Sequence, residues 1–198
     1  LEALVRRTIT DPNRYWRDYG IPNCSALDPV YKADNREGSG GVWMMWNTMI
    51  GEGLADSGST VEAAQLIGKI MRAMIFTLKE DKAFREAYNS DLLEGLGERD
   101  YLWGVAPLHL FLRTLGVRII SEKKVWLRGR NPFPFPVTVK WKGVTVTKGE
   151  KTTVVKFASG EEKVISDEGE MMVEDQTAEI SKTTNGVAQT TVVGRTLA

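Results

Sequence analysis

Five carboxylates crowd the stretch FREAYNSDLLEGLGERDYLWG at residues 84–104, in the company of Tyr88 and Trp103. A carboxylate held beside a reacting centre can polarise a water or deliver a proton. Flat aromatic rings stack on the C–H faces of sugars, and an indole N–H donates to hydroxyls. Glu86 is the first candidate. Its bland alternative is a solvated glutamate at the end of an element, the ordinary fate of that residue type. Glu98 is the rival, because it lies between Gly97, which lets the backbone aim it, and the cation Arg99. Glu94 reads as surface solvation, and Asp100 equally as an anchor for the loop.

A second group precedes the first, in REGSGGVWMMWN at residues 36–47. Arg36 and Glu37 are placed for bidentate contacts to hydroxyls or to an acidic aglycone, unless they pair with each other. Trp43 follows the glycine run and is expected to face a site, while helical spacing puts at least one of Trp43 and Trp46 in the core. Asn47 lies one turn beyond Trp43, where a buried amide needs a hydroxyl or a backbone group as partner.

Other chemistries are poorly supplied. The one histidine, His109, sits among apolar residues in APLHLFL and is expected to be a packed, hydrogen-bonded core residue, so no Ser-His-Asp or Cys-His arrangement is credible. The single cysteine, Cys24, precludes an internal disulfide and makes no zinc cluster with His109. No phosphate-loop or dinucleotide motif occurs, and no cofactor or metal is expected. The 26 basic and 26 acidic residues cancel, which leaves no long-range field for nucleic acid or an anionic membrane. They are unevenly spread: residues 118–156 hold 10 basic and 2 acidic groups, and residues 157–198 hold 3 and 8. These two segments are expected to neutralise each other or another chain. No apolar run approaches the ~20 residues of a membrane span, and the first residues lack the pattern of a signal peptide.

The elements that must position these residues change character along the chain. LEALVRRTI spaces its apolar residues as a helix, which TDPN then stops. Residues 14–41 form a long aromatic and Gly-rich loop. VWMMWNTMIGEGLADSG and TVEAAQLIGKIMRAMIFTLK read as an antiparallel helix pair, the second opened by a Ser59/Glu62 capping box and striped by Val61, Ala64, Ile67, Met71, Met74 and Leu78. The acidic stretch reads as a loop, and VAPLHLFLRTLG as a helix closed by Gly116. After residue 117 the period becomes two, with a hairpin through Lys148-Gly149, a turn at SGEE and an extended NPFPFP segment. Three regions follow: helices over 1–117, a small β region over 118–166, and an acidic, Thr-rich tail of weak strands or partial disorder over 167–198.

YGIP at 19–22, GGVWMMWNTMIGEGL at 40–54 and EAYN…YLWGVAPLHLFLRTLG at 86–116 occur in the order and spacing of one family. Over roughly residues 12–160 the chain resembles the last helices of the (α/α)6-barrel glycoside hydrolases: processing α-glucosidases, mannosylglycerate or glucosylglycerate hydrolases and, next, trehalases. The resemblance implies a mainly α fold, the end of an (α/α)6 toroid followed by a small antiparallel β segment. It also implies an inverting hydrolase acting on an α-glycosidic bond. Glu86 matches the general base of those enzymes, with Tyr88 and Trp103 in register; Arg36, Glu37, Trp43 and Asn47 are the further candidates for contacts to the sugar. Inversion needs a general acid ~6.5–9.5 Å from the base. By resemblance that acid, with most of the barrel, lies in a missing N-terminal half or a second chain, and this chain alone would be inactive. A non-catalytic carbohydrate-binding or structural subunit, or a rhamnosidase- or lyase-type barrel enzyme, remains as the alternative.

Overall fold

In a computed structural model of the chain, residues 3, 5–166 and 169–177 are described. After a π-helical turn at Val5–Ile9 and the long loop come β1 (Val42–Trp43), α1 (Met44–Asp56) and α2 (Thr60–Glu80). Next are β2 (Arg85–Tyr88), β3 (Gly95–Arg99), a 3-10 turn at Leu102–Val105 and α3 (Ala106–Leu115). The rest is strand: β4 (Val117–Ser121), β5 (Lys124–Leu127), β6 (Val137–Trp141), β7 (Val144–Lys148), β8 (Thr153–Lys156), β9 (Glu162–Ile165) and β10 (Met171–Glu174).

The expectation of a mainly α chain, the last helices of a toroid, is therefore wrong. Among the described residues three α-helices, one 3-10 turn and one π-helical turn stand against ten strands in three antiparallel sheets, ordered β1-β2-β3, β10-β5-β4 and β6-β7-β8-β9. The decisive difference is the acidic stretch, which is a pair of strands and not a loop between helices. Gly95 and Gly97 disfavour a helix there. Antiparallel pairing of Val42 with Tyr88, and of Ala87 with Leu96, satisfies the backbone instead and buries Ala87 and Tyr88 completely.

Two apolar clusters share α2. Its Ala64 and Ile67 join Leu110 and Leu115 of α3 and the inward valines of β4 to β8. Its Ala63, Leu66, Ile70, Ala73 and Met74 join Val5, Ile21, Val42, Met44, Leu54 and Tyr88. Two buried flanks, rather than one, explain why Val61 and Leu78 at the ends of the expected stripe stay exposed. Ser59 does precede the helix, but its hydroxyl makes no capping hydrogen bond.

The corner between α3 and β4 is built on Gly116, at φ +68°, where a Cβ would lie 2.0 Å from the Arg128 carbonyl oxygen. Lys148 is buried beneath it and donates to the carbonyls of Leu115 (2.6 Å) and Arg128 (2.7 Å). Burial pushes its ammonium down to about 8. The hairpin through Lys148-Gly149 and the turn at SGEE form as expected, joining β7 to β8 and β8 to β9. NPFPFP joins no ladder; its Phe133 is buried against Phe111, with ring centroids 4.9 Å apart. In the acidic tail, β10 pairs with β5, and the tail's residues 178–198 lie outside the described residues.

Candidate functional site

Glu86 is in the middle of the three-stranded sheet, on β2, with its side chain 12% exposed. Arg85 pairs with Arg99 and Ala87 with Leu96, so Gly97 and Glu98 together face Glu86 across a β-bulge. Gly97 has φ +72°, as bulges opened by a left-handed glycine require. The extra residue lowers the ladder locally and turns the Glu98 N–H onto Glu86 Oε2, at 3.3 Å. Arg36 Nη1 donates to the same oxygen at 2.7 Å. Both contacts fall on Oε2, and Oε1 has no hydrogen-bond partner among the described residues. One oxygen is thus held in a two-donor cradle, and the other is left for a hydrogen bond from outside the protein.

Arg36 reaches this position because its own loop is tied down. The Trp43 indole N–H donates to the Arg36 carbonyl at 2.7 Å, and the Gly41 amide donates to Asn35 at 2.8 Å. The ion pair runs to Glu86 and not to Glu37, which is exposed. Trp43 is half-buried and Trp46 is 49% exposed, so neither is the core residue that helical spacing demanded. Trp46 instead lines a cavity of about 560 Å³ with Tyr15, Ile21, Pro22 and Ile50.

Asn47 is completely buried, and its partners are backbone. Its Oδ1 accepts from Ile21 N (2.8 Å), and its Nδ2 donates to the carbonyls of Ile21 (2.9 Å) and Trp43 (3.0 Å). It clamps the Gly-Ile-Pro loop to the start of α1. Tyr88 is also fully buried, and its hydroxyl accepts from Arg85 N at 3.3 Å and lies 3.4 Å from Thr77 Oγ1. Burial pushes its phenol above the ordinary range. The geometry therefore brings Glu86, Arg36 and Trp43 together at the surface of the sheet and sets Asn47 and Tyr88 behind it as supports.

Trp103 is 51% exposed on the 3-10 turn, which packs on β2 with Gly104 against the Arg85 backbone. Glu98 is exposed, and only its amide reaches Glu86. Glu94 accepts from Asn89 Nδ2 at 2.9 Å, and the Asp100 amide donates to the Phe84 carbonyl at 2.7 Å, so both hold the loop. His109 is not a core residue: its side chain is 70% exposed and lies 3.2 Å from Glu52.

Sequence reasoning missed a second polar knot. Asp91 accepts from Arg17 Nε at 2.7 Å and from the Tyr31 hydroxyl at 3.0 Å, and Tyr31 lies 2.6 Å from Ser90 Oγ. Burial raises the Tyr31 phenol. These contacts tie two points of the long loop, Arg17 and Tyr31, to Ser90-Asp91, 59 to 74 residues away, a pairing that no local pattern signals. Among the described residues no cluster of His, Cys, Asp and Glu could hold a metal ion, and no helix is long and apolar enough to cross a membrane.

A family model, described as the mannosylglycerate hydrolase MGH1-like glycoside hydrolase domain, matches residues 2–104, just over half of the 198 residues. The matched stretch takes in the Gly-Ile-Pro loop, α1, α2 and the whole sheet that carries Glu86, and ends just after Trp103. No curated protein matches the chain.

Proposed function

This chain belongs to the mannosylglycerate hydrolase MGH1-like glycoside hydrolase domain family, and from that premise we propose that Glu86 is the general base of an inverting hydrolysis of an α-glycosidic bond. The observation that carries the proposal is the asymmetric treatment of its carboxylate: Oε2 accepts from Arg36 and the Glu98 amide, while Oε1 is unclaimed among the described residues. An anchored carboxylate with one free oxygen can orient a water and take its proton as the water attacks the anomeric carbon. Trp43 on β1 and Trp103 on the 3-10 turn packed on β2 supply aromatic surface, suited to the C–H face of a sugar ring. Arg36 positions the base, and Glu37, exposed beside it, is available to substrate hydroxyls.

The neighbouring acids support placing the general acid elsewhere. Asp91 is bound by Arg17 and Tyr31, Asp81 by Arg85, and Glu94 by Asn89. The acid is accordingly assigned to another segment of the polypeptide or to a second chain, facing Oε1 across the bound sugar. The family's description names mannosylglycerate; with the α-linkage and the glucosyl variant that the resemblance implies, the proposed substrate class is an α-glycoside of glycerate, mannosylglycerate or glucosylglycerate. Proton NMR of the whole protein turning over both compounds tests this reading. Release of glycerate with the β-anomer of the sugar appearing first is the expected result. First appearance of the α-anomer would overturn the role of a base acting on water.

A further inference from the structure

A second cleft, of about 870 Å³, lies between α3 and the strands β4 and β6, each the edge of its sheet. Its volume falls within the ~300–1,000 Å³ of sites that hold small ligands. None of its lining residues belongs to the β1-β2-β3 sheet or to the Gly-Ile-Pro loop. Its composition is lopsided. Arg113, Arg118, Arg128 and Lys140 line it, with Trp126 and Trp141, and no Asp or Glu does. Arg113 is engaged by Asp56 outside the lining, at 2.8 Å. The side chains of Arg118, Arg128 and Lys140 have no carboxylate partner among the described residues, and all three residues are exposed.

The two tryptophans are held as platforms. Trp126 stands opposite Arg118 in the ladder, and its indole N–H donates to Glu170 at 3.0 Å. Trp141 is 51% exposed, with the Lys142 ammonium 4.0 Å from its ring centroid. Guanidinium forks recognise carboxylate or sulfate oxygens, and indole faces stack on sugar rings. Uncompensated cations beside such rings are the requirements of one ligand class. Polynucleotides fit less well, because the chain as a whole is neutral and the basic surplus is confined to residues 118–156.

We propose that the cleft between α3, β4 and β6 is an accessory binding site for an acidic oligosaccharide, one that carries carboxylate or sulfate groups. The choice of a saccharide over other anions rests on the membership of a glycoside hydrolase family; the site itself is independent of Glu86.

Calorimetric titration of the whole protein tests it with tetragalacturonate, neutral maltotetraose and single-stranded oligouridylate as probes. Tetragalacturonate is expected to bind saturably and at least about tenfold more tightly than maltotetraose, since one charge-assisted contact is enough for that factor. The double variant Arg118→Ala/Arg128→Ala and the single variant Trp141→Ala should each weaken it by about tenfold or more, with unchanged far-ultraviolet circular dichroism. These side chains are exposed, so the fold should survive. Equal affinity for maltotetraose, absence of saturable binding or indifference to the variants would overturn the proposal. Tighter binding of oligouridylate would replace it with a nucleic-acid site. None of the three probes is a glycoside of glycerate, so neither result depends on whether Glu86 is the base.

Discussion

Replacing Gly97 by alanine separates the backbone requirement of the bulge from its effect on Glu86. At φ +72° an alanine enters a left-handed conformation, which costs an L-residue about 1–2 kcal/mol. In a chain of this size each kcal/mol lowers Tm by about 2–4 °C, giving an expected fall of about 2–8 °C. The second effect is local. The new Cβ would lie 2.2 Å from Glu86 Oε2 and 3.0 Å from Arg36 Nη1. To regain ordinary contact the carboxylate must retreat by about 1 Å, breaking the alignment with Arg36 and the Glu98 amide. A misplacement of that size at a reacting centre costs on the order of 100-fold in rate. Gly58→Ala is the control, because Gly58 also has positive φ, +87°, but a Cβ there meets nothing within 4 Å. Calorimetric Tm and initial rates of glycerate release should show destabilisation in both variants, at least as large in Gly97→Ala because of the added contact, and a loss of kcat in Gly97→Ala alone. Equal kcat in the two would refute the reasoning that the bulge aims the base.

Asn47→Ala strands the buried amide and carbonyl of Ile21, and at about 1–3 kcal/mol for each stranded group the expected loss is about 2–6 kcal/mol by urea unfolding; a loss under about 1 kcal/mol would show that the clamp is dispensable. Lys148, held down to about 8 by burial against an ordinary 10.5, makes stability depend on pH. Below about 8 both folded and unfolded chains keep that proton and the full cost of burying the charge is present. Between about 8 and 10.5 the unfolded chain binds more protons, so stability rises with pH, and above 10.5 the cost is gone. Compared with Lys148→Met, the wild-type protein should gain up to about 1.4 kcal/mol per pH unit across that window. A stability difference that does not change from pH 7 to about 10.5 would contradict the buried-charge reading.

How much of this was legible in sequence depended on whether the signal was local. The limits of α2, the Gly116 cap and the β7–β8 hairpin follow from periodicity, a left-handed glycine and a two-residue alternation, all read within one segment. The sheet around Glu86 does not. β1 has only two residues and β2 four, too short for any periodic pattern, and their pairing joins positions more than 40 apart. That non-local closure turned an expected loop between helices into a sheet and removed the mainly α fold with it. His109 misled for a related reason: of the apolar residues around it, Pro107 and Leu110 are buried on one face of α3, while Leu108 and Leu112 are exposed like the imidazole, which turns to Glu52.

At the site, residue types were more legible than roles. Glu86, Arg36 and Trp43 are brought together, but Arg36 grips Glu86 where a contact to substrate or to Glu37 had been expected. Asn47 and Tyr88, which look like polar groups for a sugar, are buried with their polar atoms turned to the protein. The bulge at Gly97–Glu98 was visible only as a glycine beside an acid, because its meaning depends on the strand opposite.

The central claim, that Glu86 and not Glu98 activates the water, is tested most directly by measuring kcat for Glu86→Gln and Glu98→Gln side by side on the glycerate glycosides. Removing a general base is expected to lower kcat by about 100- to 10,000-fold in Glu86→Gln, with substrate binding retained. Glu98→Gln keeps the backbone amide that contacts Glu86 and should stay within a few-fold of wild type. A Glu86→Gln enzyme of near-normal kcat, or a loss that falls on Glu98→Gln instead, would contradict the assignment.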